Sequence, residues 1–142
     1  MITSFSHIYY KVRDVDETID FYTKNFGFRL LRKYEINGRP AAYLELGQVL
    51  LELSPAQPEE MPKPGERRIG LTAPDVDAVV EGLRKNGVEI VEDARPARTF
   101  LGRQAAIKDP NGHIITLREW QAPDGPGYEG WQPSHPEVVR KA

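Results

Sequence analysis

One glutamate, Glu52, interrupts the apolar run Val49-Leu50-Leu51-Glu52-Leu53. A carboxylate in such a run needs a partner, because burying it unpaired is costly. Matching chemistry stands elsewhere in the chain. His7 can exchange a proton near neutral pH, and Arg68 is a permanent cation whose fork fits a carboxylate or phosphate. Glu52 or His7 as base, with Arg68 orienting an anionic or carbonyl-bearing molecule, would abstract a proton beside a carbonyl. A purely structural alternative is an ion pair between Glu52 and Arg68. Of the other two histidines, His113 falls in a turn and His135 in the C-terminal tail, and neither is expected to touch a ligand.

Composition narrows the classes. The chain has 142 residues, 19 Lys plus Arg against 21 Asp plus Glu, and a net charge of −2. That balance offers no basic footprint for nucleic acid. No apolar run approaches the roughly 20 residues of a membrane helix, and no secretory signal opens the chain, so a cytoplasmic protein is expected. With no cysteine, thiolate nucleophiles and thiolate metal sites are excluded. A metal, if any, would rest on His, Asp and Glu.

The elements that must position these residues come from a repeat. His7-Ile-Tyr-Tyr-Lys-Val-Arg-Asp-Val-Asp16 and Arg68-Ile-Gly-Leu-Thr-Ala-Pro-Asp-Val-Asp77 align at an offset of 61 residues, and Lys24-Asn25 then meets Lys85-Asn86. In each copy an alternating strand leads into a helix that an aspartate, Asp14 or Asp75, can cap. Apolar stripes Val15, Ile19, Tyr22, Phe26 and Val76, Val79, Val80, Leu83 follow, and Gly27 and Gly87 supply the stops. Three strands come after each helix: Phe28 to Ile36, Ala41 to Leu46 and Val49 to Leu53, then Val88 to Val91, Arg103 to Ile107 and Ile114 to Trp120. The unit is βαβββ, twice, with modules at 5–54 and 67–120. Residues 55–66, rich in proline, read as a linker, and 121–142 as a Pro- and Gly-rich tail that either docks on the body or stays mobile.

Strand parity sorts the faces. With His7 on one face, Tyr9 and Lys11 share it, while Ile8, Tyr10 and Val12 turn toward the helix. Arg68, Gly70 and Thr72 occupy the same face of the second module. In the last strands Leu50 and Glu52, then Ile114, Thr116 and Arg118, belong to it, leaving Val49, Leu51, Leu53, Ile115 and Leu117 to be buried. Tyr9, Tyr43 and Phe100 read either as ligand walls or as ordinary packing.

Two βαβββ units with a histidine opening the first strand, an Asp-Val-Asp helix entry and a late Asp109-Pro110-Asn111-Gly112 hairpin resemble the vicinal oxygen chelate superfamily. It includes glyoxalase I, fosfomycin and bleomycin resistance proteins and extradiol dioxygenases. The resemblance covers about residues 5 to 120. It implies an α+β fold in which tandem modules curl a mixed sheet into a cupped half-barrel around one small-molecule cavity, within a chain or across a homodimer.

Metal-dependent members of that superfamily draw ligands from the start of each module's first strand and the middle of its last. Here those positions are His7, Glu52, Arg68 and Thr116. The first two match the pattern, whereas a guanidinium cannot coordinate an ion and a threonine is a poor neutral ligand. No cofactor is therefore expected with assurance, and a divalent metal would have only His7 and Glu52. The resemblance implies lyase- or isomerase-type proton transfer, with His7 and Glu52 catalytic and Arg68, Tyr9, Thr116 and Arg118 binding the substrate. A sequestering binder of the bleomycin-resistance type is the alternative, and a metal-dependent transferase or dioxygenase a third.

Overall fold

In a computed structural model of the chain, which describes residues 1–121, 125–133 and 135–141, the two βαβββ modules are both present. The first runs β1 (Ile8–Val12), α1 (Val15–Phe26), β2 (Arg29–Ile36), β3 (Arg39–Leu46) and β4 (Val49–Pro55). The second runs β5 (Arg68–Thr72), α2 (Val76–Lys85), β6 (Ile90–Pro96), β7 (Gly102–Lys108) and β8 (Ile114–Trp120). Two compact units result: residues 1–64 with the hairpin tip 110–112, and residues 65–109 with 113–142.

Each unit has a four-stranded mixed sheet, in the orders β1-β4-β3-β2 and β5-β8-β7-β6. The first strand pairs in parallel with the last, and the other pairings are antiparallel. In the first unit Ile8 lies opposite Leu51 and Tyr9 opposite Glu52. In the second, Ile69 lies opposite Ile115 and Gly70 opposite Thr116. The modules therefore share one register, and it makes Arg68 the counterpart of His7 and Thr116 the counterpart of Glu52.

Local chemistry accounts for the helices. Asp14 Oδ1 accepts from the Glu17 N–H at 3.0 Å, and Asp75 Oδ1 accepts from the Ala78 N–H at 3.0 Å, so each helix begins on a side-chain cap. Gly27, at φ 72°, takes the left-handed conformation that ends α1 at little cost. The buried faces, Val15, Thr18, Ile19 and Tyr22 on α1 and Val76, Val80 and Leu83 on α2, cover one side of their sheets. Against them lie Tyr10, Val12, Leu51 and Leu53 in the first unit and Ile107, Ile115 and Leu117 in the second, all essentially inaccessible.

Several expectations need correction. The strand expected at Val88 to Val91 instead spans Ile90–Pro96 and carries Glu92, Asp93 and Arg95. It is the sheet's edge, with irregular register at Ile90/Glu92 and Glu92/Arg95, where charged residues and a proline do not break a ladder on both sides. Ile114, assigned to the open face, is buried, with the Gly65 backbone beside it. Val49, assigned to the buried face, is 46% exposed, because it directly follows the Gly47-Gln48 turn. His113 is buried immediately before β8, its Nδ1 3.2 Å from Asp109 Oδ2. The proline-rich linker contains a short 3-10 turn at Pro58–Glu60. In the tail a second such turn spans Gly125–Gly127, and Arg98 forms an ion pair with Glu137.

Candidate functional site

In the first unit the open face of the sheet gathers its chemistry around Glu52. Its Oε2 lies 2.8 Å from His7 Nε2, and its Oε1 accepts from the Tyr34 hydroxyl at 3.2 Å. The Ser6 hydroxyl lies 2.7 Å from the other ring nitrogen, His7 Nδ1, so the imidazole is held at both ends. Tyr43 sits directly opposite Glu52 on β3, with its ring centroid 5.6 Å from that of His7 and 6.1 Å from that of Tyr34. Tyr9 flanks Glu52 from the other side, on β1.

Glu52 thus finds its partner within its own module, in place of the Arg68 pairing weighed from the sequence. The pair is only partly shielded, with side-chain exposures of 31% for His7 and 19% for Glu52. Its electrostatics show in the neighbouring phenols. Burial, and then the Glu52 carboxylate, push both Tyr34 and Tyr43 above the ordinary tyrosine value, because a phenolate beside a carboxylate is doubly disfavoured. An imidazole and a carboxylate in contact, with two neutral phenols nearby, form a set that can take up and return a proton.

In the second unit the open face is cationic. A cavity of about 410 Å³ is lined by Arg68, Gly70, Thr72, Thr116, Arg118 and Trp120 among others. Neither Arg68 nor Arg118 pairs with a carboxylate among the described residues. Arg68 is exposed. Arg118 lies over two aromatic rings, 5.2 Å from the Phe100 centroid and 5.6 Å from that of Trp120, and its Nε is buried without a hydrogen-bond acceptor among the described residues. An orphaned donor on a permanent cation favours an anion or a carbonyl oxygen as its missing partner. Phe100 and Trp120 are stacked, with centroids 4.0 Å apart and planes at 29°.

The four positions from which the superfamily takes metal ligands are occupied here by unlike chemistry. The first module offers His7 and Glu52, already bonded to each other, while the second offers a guanidinium and a hydroxyl at the same register. That donor set does not fit a tightly held divalent ion. Asp75, Asp77 and Glu119 are the described residues whose spacing would suit a cation. They are engaged otherwise: Asp75 caps α2, Arg103 grips Asp77 at 2.7 and 3.0 Å, and Glu119 accepts from the Val76 N–H.

Sequence reasoning placed Tyr9, Thr116 and Arg118 on the open faces where they are found but overlooked Tyr34, Ser6 and the Phe100–Trp120 stack. The place of Tyr43, named above as a wall residue, was open to counting as well. A two-residue turn at Gly47-Gln48 pairs Leu46 with Val49, which sets Tyr43 opposite Glu52.

The duplicated βαβββ unit carries an imidazole–carboxylate pair in one module and a cationic cavity in the other. Residues 4–117 match the family model of the Glyoxalase/Bleomycin resistance protein/Dioxygenase superfamily, and the chain belongs to that superfamily. Among its relatives is a lactoylglutathione lyase of Arabidopsis thaliana, 31% identical over 121 residues; the match takes in 80% of this chain but 43% of the plant protein, so the chain spans under half of that relative. The metallothiol transferase FosB of Staphylococcus epidermidis is 26% identical over 140 residues, with 94% of each chain covered. Among solved structures, an antibiotic-binding protein from Streptomyces superposes with a TM-score of 0.61 at 28% identity, over 83% of this chain and 98% of the other. No helix among the described residues is long and apolar enough to cross a membrane.

Proposed function

We propose that the chain binds a small anionic, carbonyl-bearing molecule through Arg68, Thr116 and Arg118, and that the His7–Glu52 pair supplies lyase- or isomerase-type proton transfer. The observation that carries the reading is the pair of arginines on one cavity with no carboxylate partner among the described residues. Guanidinium groups gathered on one cavity wall, one of them with a buried unsatisfied Nε, favour something negative as the missing partner. The His7–Glu52 contact at 2.8 Å supplies the acid–base half. No step is assigned to a metal, because the donor set does not suit one.

S-lactoylglutathione, the molecule in the plant relative's name, is a suitable first probe, being both anionic and a thioester. Calorimetric titration should detect binding that weakens at least ten-fold, or about 1.4 kcal/mol, in Arg118→Gln and Arg68→Gln. Proton transfer is read as solvent deuterium appearing at the carbon beside the carbonyl, and should be lost in Glu52→Gln. Unchanged affinity in both arginine variants would refute the binding half.

The second reading is sequestration without chemistry, favoured by the stacked Phe100–Trp120 pair and by the likeness to an antibiotic-binding protein. Binding with no deuterium exchange would select it. Homodimerisation belongs to the same proposal, and a strictly monomeric sedimentation mass at high concentration would reject it.

A further inference from the structure

The second unit contains another cavity, of about 570 Å³, beside the cationic one. Its walls include Phe100 and Trp120 together with Tyr128 and Trp131 from the tail. Trp120, Tyr128 and Trp131 lie beyond residues 4–117 that match the family model, so part of this wall is supplied by the segment that follows them. Trp120 and Pro126 line both cavities, which makes the two neighbours across these residues.

The tail is built to hold this wall. The Gly125–Gly127 turn lies against the Trp120 ring, where even a methyl group on Gly125 would already be in van der Waals contact at 3.9 Å. Gly130 leaves room for the Tyr128 ring to fold over the backbone, since a Cβ there would stand 2.5 Å from the Tyr128 hydroxyl. The Arg140 guanidinium donates to the Glu129 and Trp131 carbonyls at 2.7 and 2.9 Å and covers the Trp131 ring at 5.6 Å. Arg98, just before Phe100, ties the tail back through Glu137.

Four aromatic side chains around a space of this size are not ordinary packing. A half-open space of this kind leaves aromatic faces to water, which an apolar group entering it would cover. The volume lies within the range of small-molecule sites. Two rings stacked in nearly parallel planes present a flat face, and a flat ring system is the group that covers it best.

We infer that the segment Gly125–Gln132 closes a slot for a flat aromatic ring system, carried by the same ligand whose acidic group meets Arg118. The ligand class is therefore an aromatic acid. This deepens the proposed function and rests on its anion site.

Three probes separate the two claims: naphthoate (aromatic and acidic), cyclohexanecarboxylate (acidic only) and naphthylmethanol (aromatic only). Affinities are measured by calorimetry. Occupancy of the slot is read from the indole N–H signals of the chain's two tryptophans, Trp120 and Trp131, both of which line it. Tyr128→Ala and Trp131→Ala lie outside every strand and α-helix and leave the sheet intact. Each is expected to weaken naphthoate about ten-fold, from the loss of stacking, while leaving cyclohexanecarboxylate unchanged. Naphthoate binding that ignores both tail variants but falls in Arg118→Gln would overturn the slot and leave the anion site standing. Naphthoate and naphthylmethanol binding equally, dependent on the tail but not on Arg68 or Arg118, would uphold the slot and overturn the anion reading beneath it. Binding of cyclohexanecarboxylate alone would also overturn the slot.

Discussion

The contact between His7 and Glu52 can be weighed by a double-mutant cycle of His7→Gln, Glu52→Gln and the two together. A hydrogen bond to a charged group such as the Glu52 carboxylate is worth about 1.5–3 kcal/mol when it is well shielded. The side chains retain 31% and 19% of their exposure, so water screens much of this. Exposed pairs measure about 0.2–1 kcal/mol, whereas breaking a buried pair costs about 3–5 kcal/mol. This pair lies between, with Tyr34 adding a bond to the carboxylate, and a coupling energy of about 1–2 kcal/mol is expected. Glu52→Gln alone should cost about as much, since glutamine still accepts from the Tyr34 hydroxyl. Urea unfolding at neutral pH, followed by circular dichroism and tryptophan fluorescence, gives all four stabilities. Additivity within about 0.3 kcal/mol would mean that the 2.8 Å contact carries no energy, and the account of the first module's open face would fail.

Two further outcomes follow from the same geometry. Tyr34 and Tyr43 have raised folded pKa values, so the folded chain holds their protons longer than the unfolded one, and their stabilisation is complete below the ordinary value of 10.0 and falls as pH rises through the folded pKa values. In an alkaline absorbance titration, Glu52→Gln should move the Tyr34 and Tyr43 phenols earlier, and no movement would refute the carboxylate's part. Gly102→Ala should be among the most damaging single changes, by about 3 kcal/mol or more, because φ is 154° and a Cβ would stand 1.9 Å from the Glu119 carbonyl oxygen. A melting temperature within a degree or so of the parent would contradict that close approach.

The fold was legible because the repeat compares the chain with itself. Asp14 and Asp75 announce both helices, and the buried members of β1 and β4 alternate as parity requires. Parity failed at strand starts: Ile114 is covered by the incoming linker and Val49 is exposed beside its turn, and neither neighbour appears in a pattern of alternation. The edge strand β6 was cut short because its charged half has no apolar signature. At the site, residue types were easier to read than partners. Glu52 needed a counter-group, and an ion pair with Arg68 was the structural alternative, but the fold delivers His7 from just before β1 and Tyr34 from β2. The Phe100–Trp120 stack joins the loop before β7 to the end of β8, a closeness that only the folded sheet creates.

The shared register of the two modules has a consequence for how this chain can change. Leu51 and Ile115 hold equivalent places on the buried sides of their sheets and fix where each ladder sits, while the residues beside them, Glu52 and Thr116, point the other way. Scaffold and chemistry are thus written in alternate letters of the same strand. The outward letters can be rewritten without disturbing the inward ones. Arg68→His with Thr116→Glu would spell in the second module the pair that the first already carries, on a backbone that holds those positions in the same alignment. The molecule contains two copies of one mould, and of the two only the first bears this inscription.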